Sequence, residues 1–282
     1  MITPAPRCEA PRGDALRGHD GRSHPPLPRV FITGASSGIG AALAREYAAR
    51  GATLGLLGRR RDALEQLAST LPGQHHLYPV DVTDHAALSA AAADFIFHAG
   101  GADVVIASSG ISHGTLTERP EDLPRFAEVF DVNVLGTIAT FTPFIEAMKA
   151  ADGAPKRLVA IGSVAGIRGM KGAGAYCASK AAVHSYAESL RLEMQPYGIR
   201  VVTIAPGYID TPMTRNNRFP MPFLMPAGRF AARAVQTIER GNSYRVIPWQ
   251  MGLAAKLLRL LPNVVFDALF SRAPQKARKV QA

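Results

Sequence analysis

The sequence predicts a doubly wound α/β domain on a parallel sheet of seven strands. Two observations carry this. Short apolar runs alternate with helix-length segments from residue 29 to residue 248. The runs are apolar at successive positions, as strands covered on both faces require, rather than at every second one. The 282 residues, 47% hydrophobic and 19% charged, supply one large core and exclude a mainly disordered chain.

In chain order, 29–33 reads as the first strand, followed by a helix over 41–50 that Gly51 ends. A strand at 53–57, a helix at 62–70, a strand at 76–80 and an Ala-rich helix at 85–97 follow. The fourth strand is 103–107, and one long helix over 125–149 leads to a fifth strand at 157–162. Residues 175–195 form a helix, 200–205 a sixth strand and 244–248 a seventh. Residues 1–28 hold six prolines and four arginines without apolar period. They read as a disordered tail, or as a stretch ahead of the true start, and lack the apolar core of a signal peptide. The domain thus spans 29–248, with a basic extension over 249–282.

The formal charge of +10 is local. Residues 1–211 hold 20 Lys+Arg against 20 Asp+Glu, whereas 212–282 hold 12 against 2. The basic stretch follows a Met/Pro loop and a Leu-rich helix without the interleaved aromatics of a nucleic-acid surface. Nucleic acid therefore ranks below an acidic partner or a membrane surface. Two cysteines, Cys8 and Cys177, exclude a disulfide scaffold and a four-cysteine zinc site, and fit a reducing cytoplasm. The histidines at 75, 76, 98 and 113 show no ligand spacing, so no metal is expected.

Directly after the first strand stands Thr33-Gly-Ala-Ser-Ser-Gly-Ile-Gly40. Its glycines permit a sharp turn, and the next helix aims its positive end at the same point, so an anion is expected there. Gly34, Ser36, Ser37, Gly38, Ile39 and Gly40 are the candidate pyrophosphate contacts. The spacing is G-x-x-x-G-x-G rather than G-x-G-x-x-G, and a turn that merely joins packed elements is the alternative. At the end of the second strand, where NAD-binding folds carry an acid, stand Gly58 and Arg59-Arg60-Arg61. A guanidinium holds a 2′-phosphate bidentately, so Arg59 and Arg60 point to NADP; a solvated basic turn is the bland reading. Asp81 and Val82 at the end of the third strand flank an adenine or cap the next helix.

Tyr176 and Lys180 lie one turn apart at the start of a helix. A nearby ammonium, with the positive charge of a nicotinamide, lowers a phenol pKa that is ordinarily about 10. Ser163 ends the fifth strand, on the side of the sheet where ligands bind.

Together, the turn at 33–40, Asp81-Val82, Asn133 in Asp131-Val-Asn-Val-Leu-Gly136, Ser163, Tyr176/Lys180 and Pro206-Gly207 resemble the ordered motifs of the short-chain dehydrogenases/reductases. The resemblance covers 29–211. It implies a Rossmann-fold domain with strand order 3-2-1-4-5-6-7, NAD(P)-dependent carbonyl/alcohol chemistry and a homodimer or homotetramer. By it, Tyr176 is the acid/base and Ser163 stabilises the carbonyl oxygen. Lys180 binds the nicotinamide ribose and lowers the tyrosine pKa. Asn133 holds a water linking Lys180 to solvent. Ser109 and Gly110 line the cofactor, and Pro206, Gly207, Ile209 and Thr211 form a lip over the nicotinamide. Two positions depart from the pattern: Ser108 replaces an asparagine after the fourth strand, and Ser37 stands where many NADP-preferring members have a base. A protein that keeps the fold as a dinucleotide sensor or scaffold without turnover is the second reading.

The family covers its substrate with the segment that is 211–228 here. Met213, Met221, Met225, Phe219, Phe223 and Leu224 would make an apolar lid for a hydrophobic substrate, or else pack on the core or a second subunit. A helix over 249–261 carries Leu253, Leu257, Leu258, Leu260 and Leu261 with Lys256 and Arg259, and 264–270 forms another. This pair covers the cleft, joins a dimer, or lies peripherally on a membrane surface.

Overall fold

In a computed structural model that describes residues 27–215, 217 and 220–271, the apolar runs become strands buried on both faces. In chain order the strands are β1 (Arg29–Thr33), β2 (Thr53–Leu57), β3 (His75–Tyr78), β4 (Val104–Ala107), β5 (Arg157–Ile161), β6 (Arg200–Pro206), β7 (Ile209–Asp210), β8 (Met225–Pro226) and β9 (Tyr244–Ile247). Seven of them form one sheet in the order β3-β2-β1-β4-β5-β6-β9, while β7 and β8 pair with each other. Every pairing is parallel, with Phe31 opposite Gly55 on one side and Val105 on the other. The predicted strand order is therefore met, with 244–247 as the seventh strand.

Successive side chains of a strand enter opposite layers. Val30 and Ile32 join the layer covered by α1 (Gly38–Ala48), α2 (Arg61–Ala68) and, later in the chain, the helix at Ala227–Arg240. Phe31 enters the layer covered by α3 (His85–Ala99), α4 (Leu123–Phe130), α5 (Gly136–Ala150) and α6 (Gly174–Met194). There its ring lies 4.9 Å from Phe144, 5.5 Å from Phe95 and 5.7 Å from Tyr78 between centroids. Gly55 makes that cluster possible, because a Cβ on it would sit 2.5 Å from the Phe31 ring.

Three segments differ from expectation. Residues 125–149 are not one helix: a five-residue π turn, Asp131–Leu135, separates α4 from α5. An inserted residue of this kind re-aims the side chains within it and is common at functional sites. The third strand stops at Tyr78, whose carbonyl accepts from both Gly58 N and Val80 N, so Asp81 and Val82 occupy the following loop. Helix α7 (Ala227–Arg240) occupies a stretch for which the sequence analysis names no element. It buries Phe230, Ala231, Ala234, Val235 and Ile238 against α1 and the sheet. Helices α8 (Trp249–Leu260) and α9 (Asn263–Phe270) follow.

At the strands' N-terminal ends, Asp103 accepts from Arg29 Nε at 2.9 Å and Nη2 at 2.7 Å, and from Lys156 Nζ at 2.9 Å. Burial works to raise the Asp103 pKa, but these partners outweigh it and hold it down at about 2. The Pro28 carbonyl accepts from Thr53 N at 3.0 Å, so the described chain is on the sheet before residue 29. The rest of the predicted tail, residues 1–26, lies outside the described residues, as do Phe219 of the expected lid and 272–282.

Candidate active site

The sheet reverses its winding between β1 and β4, and the crevice opens beyond the strands' carboxyl ends there. The β1–α1 turn forms one wall. Gly34 adopts φ 69°, and a Cβ on it would meet the Ser109 N at 2.8 Å. A Cβ on Gly40 would lie 2.3 Å from the Gly34 carbonyl oxygen, so both glycines are required by close backbone approach. Helix α1 starts at Gly38, and its N-cap Ser37 makes no side-chain cap bond. The first N–H groups of α1 are thereby left for an anion.

At the end of β2, Arg60 Nη2 donates to the Ser36 carbonyl at 3.2 Å. Arg59 is 65% exposed and stands 3.6 Å from Asp81. The other Asp81 oxygen accepts from Thr83 N and Oγ1, at 3.1 and 3.0 Å. Asp84, not Asp81, caps α3, accepting from Ala87 N at 3.0 Å. Val82 is buried against Gly136. On the opposite wall, the Ser108 and Ser109 N–H groups lie 3.2 and 3.5 Å from Thr33 Oγ1. The Ser108 hydroxyl is buried in the cleft wall without a partner among the described residues. These features suit a dinucleotide: open donors for a pyrophosphate, an exposed arginine at the end of β2 and an unsatisfied hydroxyl in the wall.

Ser163 lies two residues beyond β5 and caps a short turn, Val164–Gly166, through Ala165 N at 3.1 Å. Its hydroxyl is hydrogen-bonded to Tyr176 on α6. Lys180, one turn further along α6, is buried and donates to the Ile161 carbonyl at 2.8 Å, with Nζ 6.0 Å from the Tyr176 ring centroid. Burial lowers the Lys180 pKa to about 8 and raises that of Tyr176, against the lowering effect of Ser163. In the chain by itself burial therefore outweighs Ser163 at the phenol, and the amine is itself desolvated and stands off the ring. Another turn along α6, His184 Nε2 lies 3.4 Å from Ser163 N, its pKa pushed down to about 4 by burial and by the Lys180 charge.

Asn133 is fully buried behind the cleft. Its Oδ1 accepts from Ile111 N at 2.8 Å, and its Nδ2 donates to Ile111 O at 3.0 Å and Ser179 Oγ at 2.9 Å. The carboxamide is thus committed to protein partners and fixes the loop after β4.

One cleft of about 750 Å³ brings together Gly34, Ser36, Ser37, Gly38, Ile39, Gly40, Arg59, Arg60, Asp81, Val82, Ser109, Gly110, Ser163, Tyr176, Lys180, Pro206, Gly207, Ile209 and Thr211. Asn133 alone among the predicted site residues does not line it. The cleft adds Gly58, Ile111 and Gly162, to which the sequence analysis assigns no contact with cofactor or substrate. Of the expected lid, Met213 lines the cleft, Met225 is buried in the core beside Ile209, and Phe223 and Leu224 are exposed outside it. The short β7–β8 pair explains this, since it pins Met225 under the segment instead of over the opening.

A serine and a tyrosine hydroxyl in contact, beside a buried lysine and facing a glycine-rich turn, can bind a carbonyl oxygen and exchange a proton with it. A family model described as short chain dehydrogenase matches residues 28–221. An uncharacterized oxidoreductase of Myxococcus xanthus is 35% identical over 246 residues, covering 86% of this chain and 96% of that protein. The Mus musculus dehydrogenase/reductase SDR family member 7B is 31% identical over 270 residues, covering 89% of this chain and 82% of that protein. A short-chain dehydrogenase structure from Streptomyces avermitilis matches in fold with a TM-score of 0.72 at 23% identity, over 87% of this chain and 98% of that one. With its glycine turn, serine, tyrosine and lysine at one crevice of a seven-stranded parallel sheet, the chain belongs to the short-chain dehydrogenase/reductase family of oxidoreductases.

Proposed function

We propose that the protein is an NADP-dependent oxidoreductase that interconverts a carbonyl and a secondary alcohol, with Tyr176 as proton donor and acceptor. The observation that carries this is the Ser163–Tyr176 hydrogen bond beside buried Lys180 in the cleft lined by the β1–α1 turn. NADPH supplies a hydride when bound. The chain does the rest. The N–H groups at the start of α1 hold the pyrophosphate, and Arg59 with Arg60 holds the 2′-phosphate. Gly207 and Thr211 close over the nicotinamide end, Ser163 donates to the substrate oxygen, and Tyr176 delivers the proton. Lys180 orients the ribose, and Asn133 is a positioning residue that acts through Ile111.

Ile111 and Met213 in the cleft wall support a substrate with an apolar skeleton. The scarcity of cysteine, with Cys177 free and buried, supports a cytoplasmic setting. We take a homodimer or homotetramer as the assembly, as is common in this fold.

A panel of ketones and aldehydes assayed with NADPH and NADH tests the reading. Tyr176→Phe is expected to lower turnover by a factor of about 10² to 10⁴ while NADPH still binds. Arg59→Ala is expected to weaken NADPH about 10- to 100-fold and leave NADH unchanged. Turnover that survives the loss of the phenol overturns the mechanism, and an intrinsic NADH preference overturns the role of Arg59.

A further inference from the structure

The sequence expectation left helices α8 and α9 with three occupants: the cleft, a second copy or a membrane. The structure narrows them. Met251 on α8 packs so closely on the cleft-lining Gly207 that a Cβ there would lie 2.6 Å from Met251 Cγ. Arg168, between Ser163 and Tyr176 in the chain, donates to the carbonyls of Leu258, Arg259 and Leu261 at 2.8, 3.2 and 3.0 Å, and to Asn263 Oδ1 at 3.0 Å. Its guanidinium lies 3.9 Å from the Phe266 ring centroid. The last carbonyls of α8 and the start of α9 are thereby tied to the loop beside the cleft.

So fixed, the pair turns its apolar side outward. Trp249, Leu253, Leu257 and Leu260 lie within about 80° of one another around α8, at 100° per residue, and all are exposed. Val264 and Leu269 of α9 are exposed as well, at 81% and 63%. Lys256 and Arg259 border the α8 stripe along one edge and are exposed. An apolar face with cations along one edge is complementary to a surface that offers hydrocarbon below and negative charge above. A second copy fits less well, because two such faces in contact would set the Lys256 and Arg259 cations of one against those of the other. At 12 residues, α8 spans about 18 Å and cannot cross a bilayer core of about 30 Å. Among the described residues no helix is long and apolar enough to do so.

We propose that the exposed α8–α9 face is a docking surface for anionic lipid bilayers, lying along the interface and holding the cleft next to the lipid. This goes beyond the reaction proposed above, and its readouts need no turnover.

The chain has a single tryptophan, Trp249, 61% exposed on this face, which reports docking directly. The full chain is mixed with vesicles of phosphatidylcholine alone or of phosphatidylcholine with phosphatidylglycerol, and tryptophan emission and vesicle flotation are measured. With the anionic vesicles the emission is expected to shift to the blue and the protein to float. Lys256→Gln/Arg259→Gln is expected to weaken partitioning about 25-fold, roughly fivefold per cation. Leu253→Ser/Leu257→Ser is expected to weaken it at least about tenfold. If the leucine variant fails to fold, the charge variant decides. Unchanged emission and no flotation with anionic vesicles overturn the proposal. So does equal partitioning onto neutral vesicles. A blue shift that follows protein concentration in lipid-free buffer, with a rise in mass, identifies an interface between copies and also overturns it.

Discussion

Asn133 and Ile111 exchange a reciprocal pair of hydrogen bonds: Oδ1 accepts the Ile111 N–H at 2.8 Å while Nδ2 donates to the Ile111 carbonyl at 3.0 Å. An asparagine amide can mimic a strand partner in this way, and here it extends the order of β4 into the cleft wall. The π turn makes the contact possible by rotating Asn133 inward between two regular helices. Gly110 sits in the same corner: a Cβ on it would lie 3.3 Å from Asn133 Oδ1 and 3.6 Å from Lys180 Nζ.

Asn133→Ala leaves the Ile111 backbone N–H and carbonyl without these partners in a half-buried setting. The expected loss of stability is about 2–4 kcal/mol, read by denaturant titration, together with weaker binding of dinucleotide. Asn133→Asp keeps the acceptor but points a carboxylate oxygen at the Ile111 carbonyl, and should be no better. A variant as stable as the parent shows that the pair is not structural.

The phenol of Tyr176 is held above its ordinary value by burial, with Ser163 pulling the other way. Carbonyl reduction needs the protonated phenol, so kcat/KM for reduction should stay level through neutral pH and fall only in the alkaline range. Alcohol oxidation needs the phenolate and should climb with pH. Ser163→Ala removes the lowering influence, so the oxidation limb should move to higher pH. Reduction that accelerates with pH contradicts the assignment.

Burial lowers Lys180 to about 8, below the ordinary lysine value of about 10.4 in an unfolded chain. Below about pH 8 the folded protein therefore carries a desolvated ammonium, and between the two values the unfolded chain binds the extra proton. Stability should rise with pH across that window. Lys180→Met is expected to remove this slope and gain about 1–2 kcal/mol at neutral pH, net of the lost bond to the Ile161 carbonyl, while turnover collapses. Thermal melts of both proteins from pH 7 to 10 check this.

Asp103 behaves oppositely. Its pKa of about 2 lies below the ordinary 3.9, so its contribution is complete above about pH 4 and is lost as pH falls towards 2. Asp103→Asn strands the buried Lys156 ammonium and should cost about 3–5 kcal/mol at neutral pH. The variant should also lose part of the parent's acid sensitivity. Urea midpoints measured at pH 3 and pH 7 separate the two effects.

The legible parts of the site share one property: short range. The glycines of the β1–α1 turn, the Tyr176/Lys180 spacing and the arginines after β2 each act through a few consecutive residues, and the structure sets them in one cleft. Helix α7 carries an apolar stripe just as plain, in Phe230, Ala231, Ala234, Val235 and Ile238, and was open to the same reading of period. Residues 125–149 read as one helix because a π turn leaves the apolar pattern almost unchanged. The lid reading failed at Met225 for another reason, since composition marks a side chain as apolar without saying which surface receives it.

The sequence by itself determined the parallel strands and the residue types at the crevice, because periodicity and backbone freedom belong to contiguous residues, whereas the strand order followed from the resemblance to the short-chain dehydrogenases/reductases. Only the tertiary structure decided that Asn133 holds Ile111, that Lys180 loses much of its basicity and that Arg168 clasps the C-terminal helices. Those outcomes depend on which distant groups meet and how much water is left between them. Desolvation and long-range pairing arise only when the chain closes on itself.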